Sequence, residues 1–311
     1  MGHDRLRRVL VLAGPTASGK TTLSLLIASH LNAEIISADS RQLYELLDIG
    51  TAKPSREERN RVKHHFVDIQ PPDREFNAGE FGKRGRVMVD EILGRGKVPL
   101  VVGGSGLYIQ ALIDGFFDGV SADGEIKKEL YGRLKTEGPA ALLNELACVD
   151  PVAASRMHPT NTRRIIRALE VYRSTGNPIS ELQKDGVEIN FRPVLAGLNW
   201  DRAALYARID RRADWMIGQG LVDEVRELQA KGYSAELNAL QTPGYREVFA
   251  FLAGKMSLEE AVSLLKRETR RYAKRQMTWF RRDTRIRWFQ LSEEREFPAV
   301  ASSICSYFLS S

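Results

Sequence analysis

Residues 14–21 read Gly-Pro-Thr-Ala-Ser-Gly-Lys-Thr, and no other stretch limits the possible folds of this chain as tightly. The pattern G-x-x-x-x-G-K-[ST] has a physical meaning only where a strand runs into a helix. That setting is present, because Arg8 to Ala13 reads as a buried strand and Thr21 to Leu31 carries apolar residues at helical spacing. Gly14, Pro15, Thr16, Ala17, Ser18 and Gly19 form the loop. Its glycines let the backbone wrap closely around phosphate oxygens, so that successive N–H groups and the helix N-terminus face the negative charge. Lys20 adds a mobile cation and the Thr21 hydroxyl can ligate Mg²⁺. A plain strand-to-helix turn would give no reason for the Gly-Lys-Thr ending.

The rest of the chain repeats the same alternation. Glu34 to Ala38 is a second short apolar strand, and Lys97 to Val102 a third that ends in Gly103-Gly104-Ser105-Gly106 before a helical Leu107 to Ile113. Such alternation implies an α/β fold, a mainly parallel sheet flanked by helices as in the P-loop NTPases. From Asp118 the texture changes to short helical segments punctuated by Gly138-Pro139, Asp150-Pro151, His158-Pro159 and Asn177-Pro178. We therefore expect a first part of the core over 1–117, an inserted helical subdomain over 118–190, and completion of the core over 191–311. The last part holds a strand from Arg192 to Trp200 and two or three long amphipathic helices between Asp201 and Arg282.

Composition narrows the compartment and the partners. The 311 residues include only two cysteines, Cys148 and Cys305, too few and too far apart for a disulfide framework or a zinc site. No apolar run approaches the roughly 20 residues of a membrane-spanning helix, and the basic start of the chain leads into the glycine loop rather than a cleavage site. A cytoplasmic, monomeric protein with no membrane partner is expected. The net charge of +6 admits a polyanionic partner. Its distribution says more: ten lysines and arginines fall between Lys266 and Arg287, against Glu268 and Asp283, with Tyr272, Trp279 and Phe280 interleaved. That composition suits phosphate contact with occasional base stacking, and equally an amphipathic helix whose aromatics are core. We expect both.

A phosphate loop does not name its diphosphate. A kinase or ATPase usually adds an acid at the end of another apolar strand, but here the strand ending at Val102 runs into glycine and serine. The acid is Asp39, directly after the second strand and so at the same sheet edge as the loop. By itself Asp39 is a strand-end cap, an outer ligand of Mg²⁺ or a base.

Asp39-Ser40-Arg41-Gln42-Leu43-Tyr44 resembles the tRNA dimethylallyltransferases, also called tRNA isopentenyltransferases. The resemblance continues in order through Ile49-Gly50-Thr51-Ala52-Lys53-Pro54, Gly103 to Tyr108, Arg164-Ile165-Ile166-Arg167-Ala168-Leu169-Glu170, Gly244-Tyr245-Arg246-Glu247 and Ala273-Lys274-Arg275-Gln276. It covers nearly the whole chain. It implies transfer of a dimethylallyl group from dimethylallyl diphosphate to the exocyclic amine of the adenosine just 3′ of the anticodon, with loss of pyrophosphate.

The resemblance also implies roles. Lys20, Thr21 with Mg²⁺, the loop amides and Arg212 would hold the diphosphate, and Asp39 would be the general base. Chemistry on a stacked adenine requires its extrusion. Asp39, Ser40, Arg41, Gln42 and Ser105 match family positions at that base and its neighbours. Gln241, Gly244, Tyr245, Arg246, Lys274 and Arg275 match further positions at the RNA. In the inserted subdomain Lys127, Arg163, Arg164, Ile165, Ile166 and Arg167 match positions on the anticodon stem-loop. Two rivals make different demands. A small-molecule kinase leaves the basic C-terminal segment unexplained, and a noncatalytic RNA-binding protein leaves Gly19, Lys20, Thr21 and Asp39 without a use.

Overall fold

The computed structural model describes residues 7–115, 124–182 and 189–311. The start of the chain and the expected boundary between 117 and 118 lie outside them. Two compact units account for the chain: unit 1 is Met1–Ile113 with Asn190–Ser311, and unit 2 is Asp114–Ile189.

Unit 1 begins with β1 (Arg8–Ala13), α1 (Lys20–Leu31), β2 (Ala33–Ser37), α2 (Arg56–Arg61), β3 (His64–His65), α3 (Ala78–Gly94), β4 (Val98–Gly103) and α4 (Gly106–Ile113). Unit 2 contributes α5 (Gly124–Glu137), α6 (Pro139–Val149), α7 (Pro151–Ala154), α8 (Thr162–Thr175) and α9 (Ile179–Leu182). Unit 1 then resumes with β5 (Arg192–Trp200), α10 (Arg202–Gly218), α11 (Leu221–Ala230), α12 (Tyr245–Leu252), α13 (Leu258–Phe280), β6 (Arg287–Leu291) and α14 (Phe297–Ser310).

The six strands form one sheet in the order β3-β2-β4-β1-β5-β6, parallel throughout. Val9 to Leu12 are completely buried, as expected for a parallel strand covered on both faces. Leu10 and Leu12 join a core with Leu23 and Ile27 of α1 and Ala301 and Ile304 of α14. The two-residue period of a strand sends Val9 and Val11 to the opposite face.

β1 lies between β4 and β5, so the loop that follows it opens at the middle of the sheet, where the strand order changes direction. A crevice at such a point, outside the carboxyl ends of the strands, is where open α/β sheets bind ligands. Among the described residues, no helix is long and apolar enough to cross a membrane.

Unit 2 is a small helical body with its own core. Leu130, Leu142, Leu146, Ile165, Ile166 and Leu169 pack together at its centre. Asp150 caps α7 by accepting the Ala153 N–H and also accepts the Ser180 N–H, at 2.9 Å each, which ties the turn after α6 to α9. Such a cap contributes about 1 kcal/mol.

Candidate active site

The phosphate loop is held open by groups outside it. Gly19 has φ of 85° and Ala17 φ of 62°. The left-handed conformation costs a non-glycine residue roughly 1–2 kcal/mol, and the Ala17 strain is offset by neighbours. Arg208 Nε donates to the Ala17 carbonyl at 2.7 Å, and Trp200 Nε1 donates to the Ser18 carbonyl at 3.0 Å. The Arg208 guanidinium stacks 4.5 Å from the Trp200 ring and pairs with Glu294. A Cβ on Gly19 would lie 2.3 Å from the Phe297 ring, so that position excludes a side chain for packing as well as for backbone reasons.

From α13, Gln276 reaches the other side of the loop. Its Oε1 accepts the Thr16 N–H at 2.8 Å and its Nε2 donates to the Gly104 carbonyl at 2.9 Å. The buried Gln276 thus joins the loop after β1 to the loop after β4. In sequence this glutamine stands within Ala273-Lys274-Arg275-Gln276 without an evident task, and its one signal is an amide on the apolar face of an otherwise amphipathic helix. Nothing local in the sequence marks Trp200 or Arg208 as a support of the phosphate loop.

These loops open onto a cavity of about 440 Å³ lined by Thr16 to Thr22, Asp39, Arg41, Gln42, Thr51, Arg208, Arg212 and Gln276, with Ile209, Met216, Pro243 and Leu265 among its apolar lining. The cavity brings together Lys20, Thr21, Asp39 and Arg212, four residues that the resemblance placed at one reaction. Lys20 Nζ donates to the Gly14 and Pro15 carbonyls at 2.9 and 2.7 Å. Burial lowers its pKa to about 7; the nearby Asp39 acts against that and Arg212 with it. Arg212 is likewise pushed down by burial and supported by Asp39. Two half-buried cations and one carboxylate lining the same cavity form a site short of negative charge, and a diphosphate would supply it.

Asp39 ends β2 with a turn of its own making. Its Oδ1 accepts the N–H groups of Arg41 at 2.9 Å and Gln42 at 3.4 Å. Ser105 Oγ accepts the Ser40 N–H at 3.1 Å, and Ser105 N donates to the Ala38 carbonyl at 3.2 Å. Ser105 therefore fixes the turn that presents Asp39. Arg41 Nη1 donates to the Asn238 carbonyl at 2.6 Å, close in sequence to the exposed Gln241, whose amide donates to the Ala235 carbonyl at 2.6 Å.

The expected RNA positions differ in exposure. Tyr245 is fully buried, and its hydroxyl donates to Glu224 Oε1 at 2.6 Å; burial and that carboxylate keep the phenol protonated. Ile165 and Ile166 are 1% and 2% exposed and belong to the core of unit 2, so they hold α8 in place and offer no surface. Gln42 directs its amide inward, Nε2 donating to the Thr51 and Ala52 carbonyls at 3.3 Å each and Oε1 accepting from Ser37 Oγ at 3.3 Å. Gly244 uses its φ of 104° to let the chain enter α12. Arg246 is exposed and pairs with Glu247 at 3.2 Å.

The cationic positions keep their surface. Arg163 and Arg164 are exposed on α8, Arg167 pairs with the buried Glu170 at 3.1 Å, and Lys127 is half-buried on α5. On α13, Lys274 and Arg275 are exposed and line a shallow groove with Arg271, Thr278, Trp279 and Arg282. Phe280 is core, Trp279 packs over Gly106, and Tyr272 faces the main cavity with its pKa raised to about 12, chiefly by burial. Of the three aromatics expected mostly in the core, only Phe280 is buried, while Tyr272 and Trp279 are half-buried.

The IPP transferase family model matches residues 42–283. The chain belongs to this family. It is 46% identical over 304 residues to the tRNA dimethylallyltransferase of Pelotomaculum thermopropionicum, covering 97% of this chain and 96% of that one. With the tRNA dimethylallyltransferase of Thermotoga neapolitana it shares 48% identity over 285 residues, 92% of this chain and 93% of the relative. Its fold is similar to the crystal structure of the full-length tRNA isopentenylpyrophosphate transferase of Bacillus halodurans, with a TM-score of 0.72, 39% identity, and 98% and 97% of the two chains covered. A eukaryotic dimethylallyltransferase captured acting on tRNA superposes with a TM-score of 0.81 at 29% identity, over 95% of this chain and 77% of that one. The fold is therefore shared with family members from distant sources.

Mg²⁺ has to be weighed against the donors present. No group of three or more His, Cys, Asp or Glu among the described residues is arranged to hold a metal. Mg²⁺ commonly needs only one or two protein oxygens beside substrate phosphates and water. Thr21 with Asp39 nearby in the same cavity fits that limited demand.

Proposed function

We propose that this protein transfers a dimethylallyl group from dimethylallyl diphosphate to the N6 amine of the adenosine 3′-adjacent to the anticodon of a tRNA. The observation that carries this reading is the single cavity shared by the phosphate loop, Arg212 and Asp39: two cations for a diphosphate and one carboxylate open to an acceptor, with an apolar wall for a short hydrocarbon.

As the allylic carbon–oxygen bond breaks, its electron pair and a growing negative charge go to the leaving diphosphate. Lys20, Arg212 and the loop amides line the cavity where that charge develops, and a well-placed donor there is worth about 3–4 kcal/mol. Mg²⁺ held by Thr21 would supply further charge neutralisation on the diphosphate oxygens. N6 forms the new bond to carbon and gives up its proton. An adenine amine is too weak an acid to ionise first, so Asp39 orients it and accepts the proton as the bond forms. Oδ1 is occupied by the Arg41 and Gln42 N–H groups, which leaves Oδ2 for that proton.

The tRNA would be held by the basic groove on α13 and, on unit 2, by Arg163, Arg164 and Arg167. The test is direct: purified protein and tRNA are incubated with labelled dimethylallyl diphosphate or with labelled ATP. Label entering RNA only from the former supports the reading. Transfer of phosphate from ATP, or no transfer from either, would sink it.

A further inference from the structure

Glu224, on the first turn of α11, is not part of the cavity lining, yet it organises a segment that is. Its Oε2 accepts the N–H groups of Asp48 at 3.0 Å and Ile49 at 2.7 Å, and its Oε1 accepts the Gly50 N–H at 3.1 Å and the Tyr245 hydroxyl at 2.6 Å. Three successive backbone N–H groups converging on one carboxylate form an anion nest, here filled by the protein's own side chain.

The segment beyond the nest turns back sharply. Lys53 N donates to the Asp48 carbonyl at 3.0 Å, and Thr51 Oγ1 donates to the Leu47 carbonyl at 2.6 Å. Ala52 has φ of 44°, a conformation that costs a non-glycine residue energy and persists only where its surroundings impose it. Tyr245 closes the nest from the other side, since a Cβ on Gly50 would lie 2.5 Å from its ring.

The turn ends in two carbonyls that matter to the cavity. The Thr51 carbonyl accepts from Arg212 Nη2 at 3.3 Å and from Gln42 Nε2 at 3.3 Å, and the Ala52 carbonyl accepts from the same Gln42 nitrogen at 3.3 Å. A guanidinium and an amide lining the reaction cavity are thus oriented by a loop whose shape depends on Glu224.

We propose that Glu224 is a positioning residue for the transfer reaction, acting through the 48–52 turn to orient Arg212 and Gln42; this rests on the function proposed above. Neutral glutamine has nearly the same shape but can accept only through one oxygen, and its NH₂ group would oppose the Gly50 N–H. Glu224→Gln should therefore loosen the turn without emptying the space.

The experiment measures single-turnover transfer of labelled dimethylallyl to tRNA at saturating donor for wild type, E224Q, R212K and the double variant. It also measures amide hydrogen exchange at 48–52, tRNA affinity and melting temperature. We expect E224Q to lose roughly 10- to 100-fold in rate, the scale of a small misplacement of a reacting group. Exchange at 48–50 should quicken, and tRNA affinity should stay within a few-fold of normal. The double variant should lose less than the product of the two single losses, because both changes disturb one unit. A wild-type rate in E224Q, or losses that multiply, would overturn the role. So would a loss that vanishes at lower temperature in step with the melting temperature. If E224Q fails to fold, Y245F removes one hydrogen bond from the same carboxylate, and a smaller loss with the same non-additivity decides in favour; no loss decides against. Wild-type protein that transfers no label would overturn the function and this role with it, whereas wild-type transfer with an indifferent E224Q overturns the role alone.

Discussion

Gln276 Oε1 accepts the backbone N–H of Thr16 at 2.8 Å, across 260 residues of sequence. The same side chain donates to the Gly104 carbonyl, so one amide on α13 sets the distance between the phosphate loop and the end of β4. Gln276→Leu would keep the volume and leave the buried Gly104 carbonyl and the half-buried Thr16 N–H without their partner. The buried carbonyl costs about 1–3 kcal/mol, and the N–H at the cavity wall costs less. We expect a stability loss on the order of 2–4 kcal/mol in urea unfolding and weaker pyrophosphate binding. Unchanged values of both would remove the tie from the account of the loop.

Lys20→Ala should reduce turnover by at least about two orders of magnitude while leaving tRNA affinity nearly unchanged. The lost cation faces the diphosphate cavity, where it sits with Arg212 and Asp39. Steady-state transfer and a filter-binding titration with tRNA check the two halves separately. Equal activity would refute the assigned role.

Asp39→Asn keeps the shape of the turn, because the amide oxygen can still accept from Arg41 and Gln42, and removes the capacity to take a proton. A large fall in single-turnover rate is expected, with donor affinity within a few-fold of normal. Collapse of donor affinity, with the rate recovering at saturation, would make Asp39 a donor-site residue instead.

Glu34 offers a prediction in pH. At the start of β2 its carboxylate meets Arg95 at 2.7 Å, His65 at 2.7 Å and Lys97 at 3.2 Å. Burial alone would raise its pKa, but the hydrogen bonds from Arg95, His65 and Lys97 outweigh it and lower the value to about 2. Because the folded pKa lies below the unfolded one, the stabilisation is complete above about pH 4.5 and is lost as pH falls through about 2. It is on the order of 3 kcal/mol. Glu34→Gln should therefore destabilise the protein near pH 7, and the gap to wild type should narrow by about pH 3.5 in urea unfolding. A gap independent of pH would show that the cost is packing rather than charge.

How much of this was legible in the sequence depends on the range of the interaction. The strand from Arg8 to Ala13, the loop and the strand from Arg192 to Trp200 follow from local pattern, since burial on both faces leaves a continuous apolar run. The short β3 and β6 give no such signal: Arg287–Leu291 alternates only weakly and sits at the sheet edge, where one neighbour suffices. Asp39 and Lys20 were legible because each stands at the end of a recognisable strand or loop. Gln276, Arg208 and Glu224 were not, because the loops they hold lie 172 to 260 residues away and a polar side chain on an amphipathic helix reads as surface. Tyr245, expected at the RNA, is drawn by three-dimensional packing into the interior.

The basic face of α13 carries the last prediction, and there composition and geometry leave a measurable choice. Several of its cations are engaged within the protein: Lys266 with Asp214 and Arg270 with Asp210, each at 2.6 Å, and Arg271 with Glu268 at 2.7 Å. Lys274 and Arg275 are exposed beside Trp279, so neutralising both with K274Q and R275Q should leave the fold intact. If they meet phosphates, each releases condensed counterions on binding. The slope of log affinity against log salt should then become shallower by roughly 0.7 to 0.9 per removed charge. Donor affinity should not change, because the groove is separate from the cavity that holds the phosphate loop. A solvated face predicts the wild-type slope, and a structural one predicts a lower melting temperature with damage to both ligands. tRNA affinity measured at several salt concentrations, beside a thermal melt, separates the three. An unchanged slope in a stable protein would take this stretch out of the RNA interface and leave the chemistry at Asp39 and Lys20 untouched.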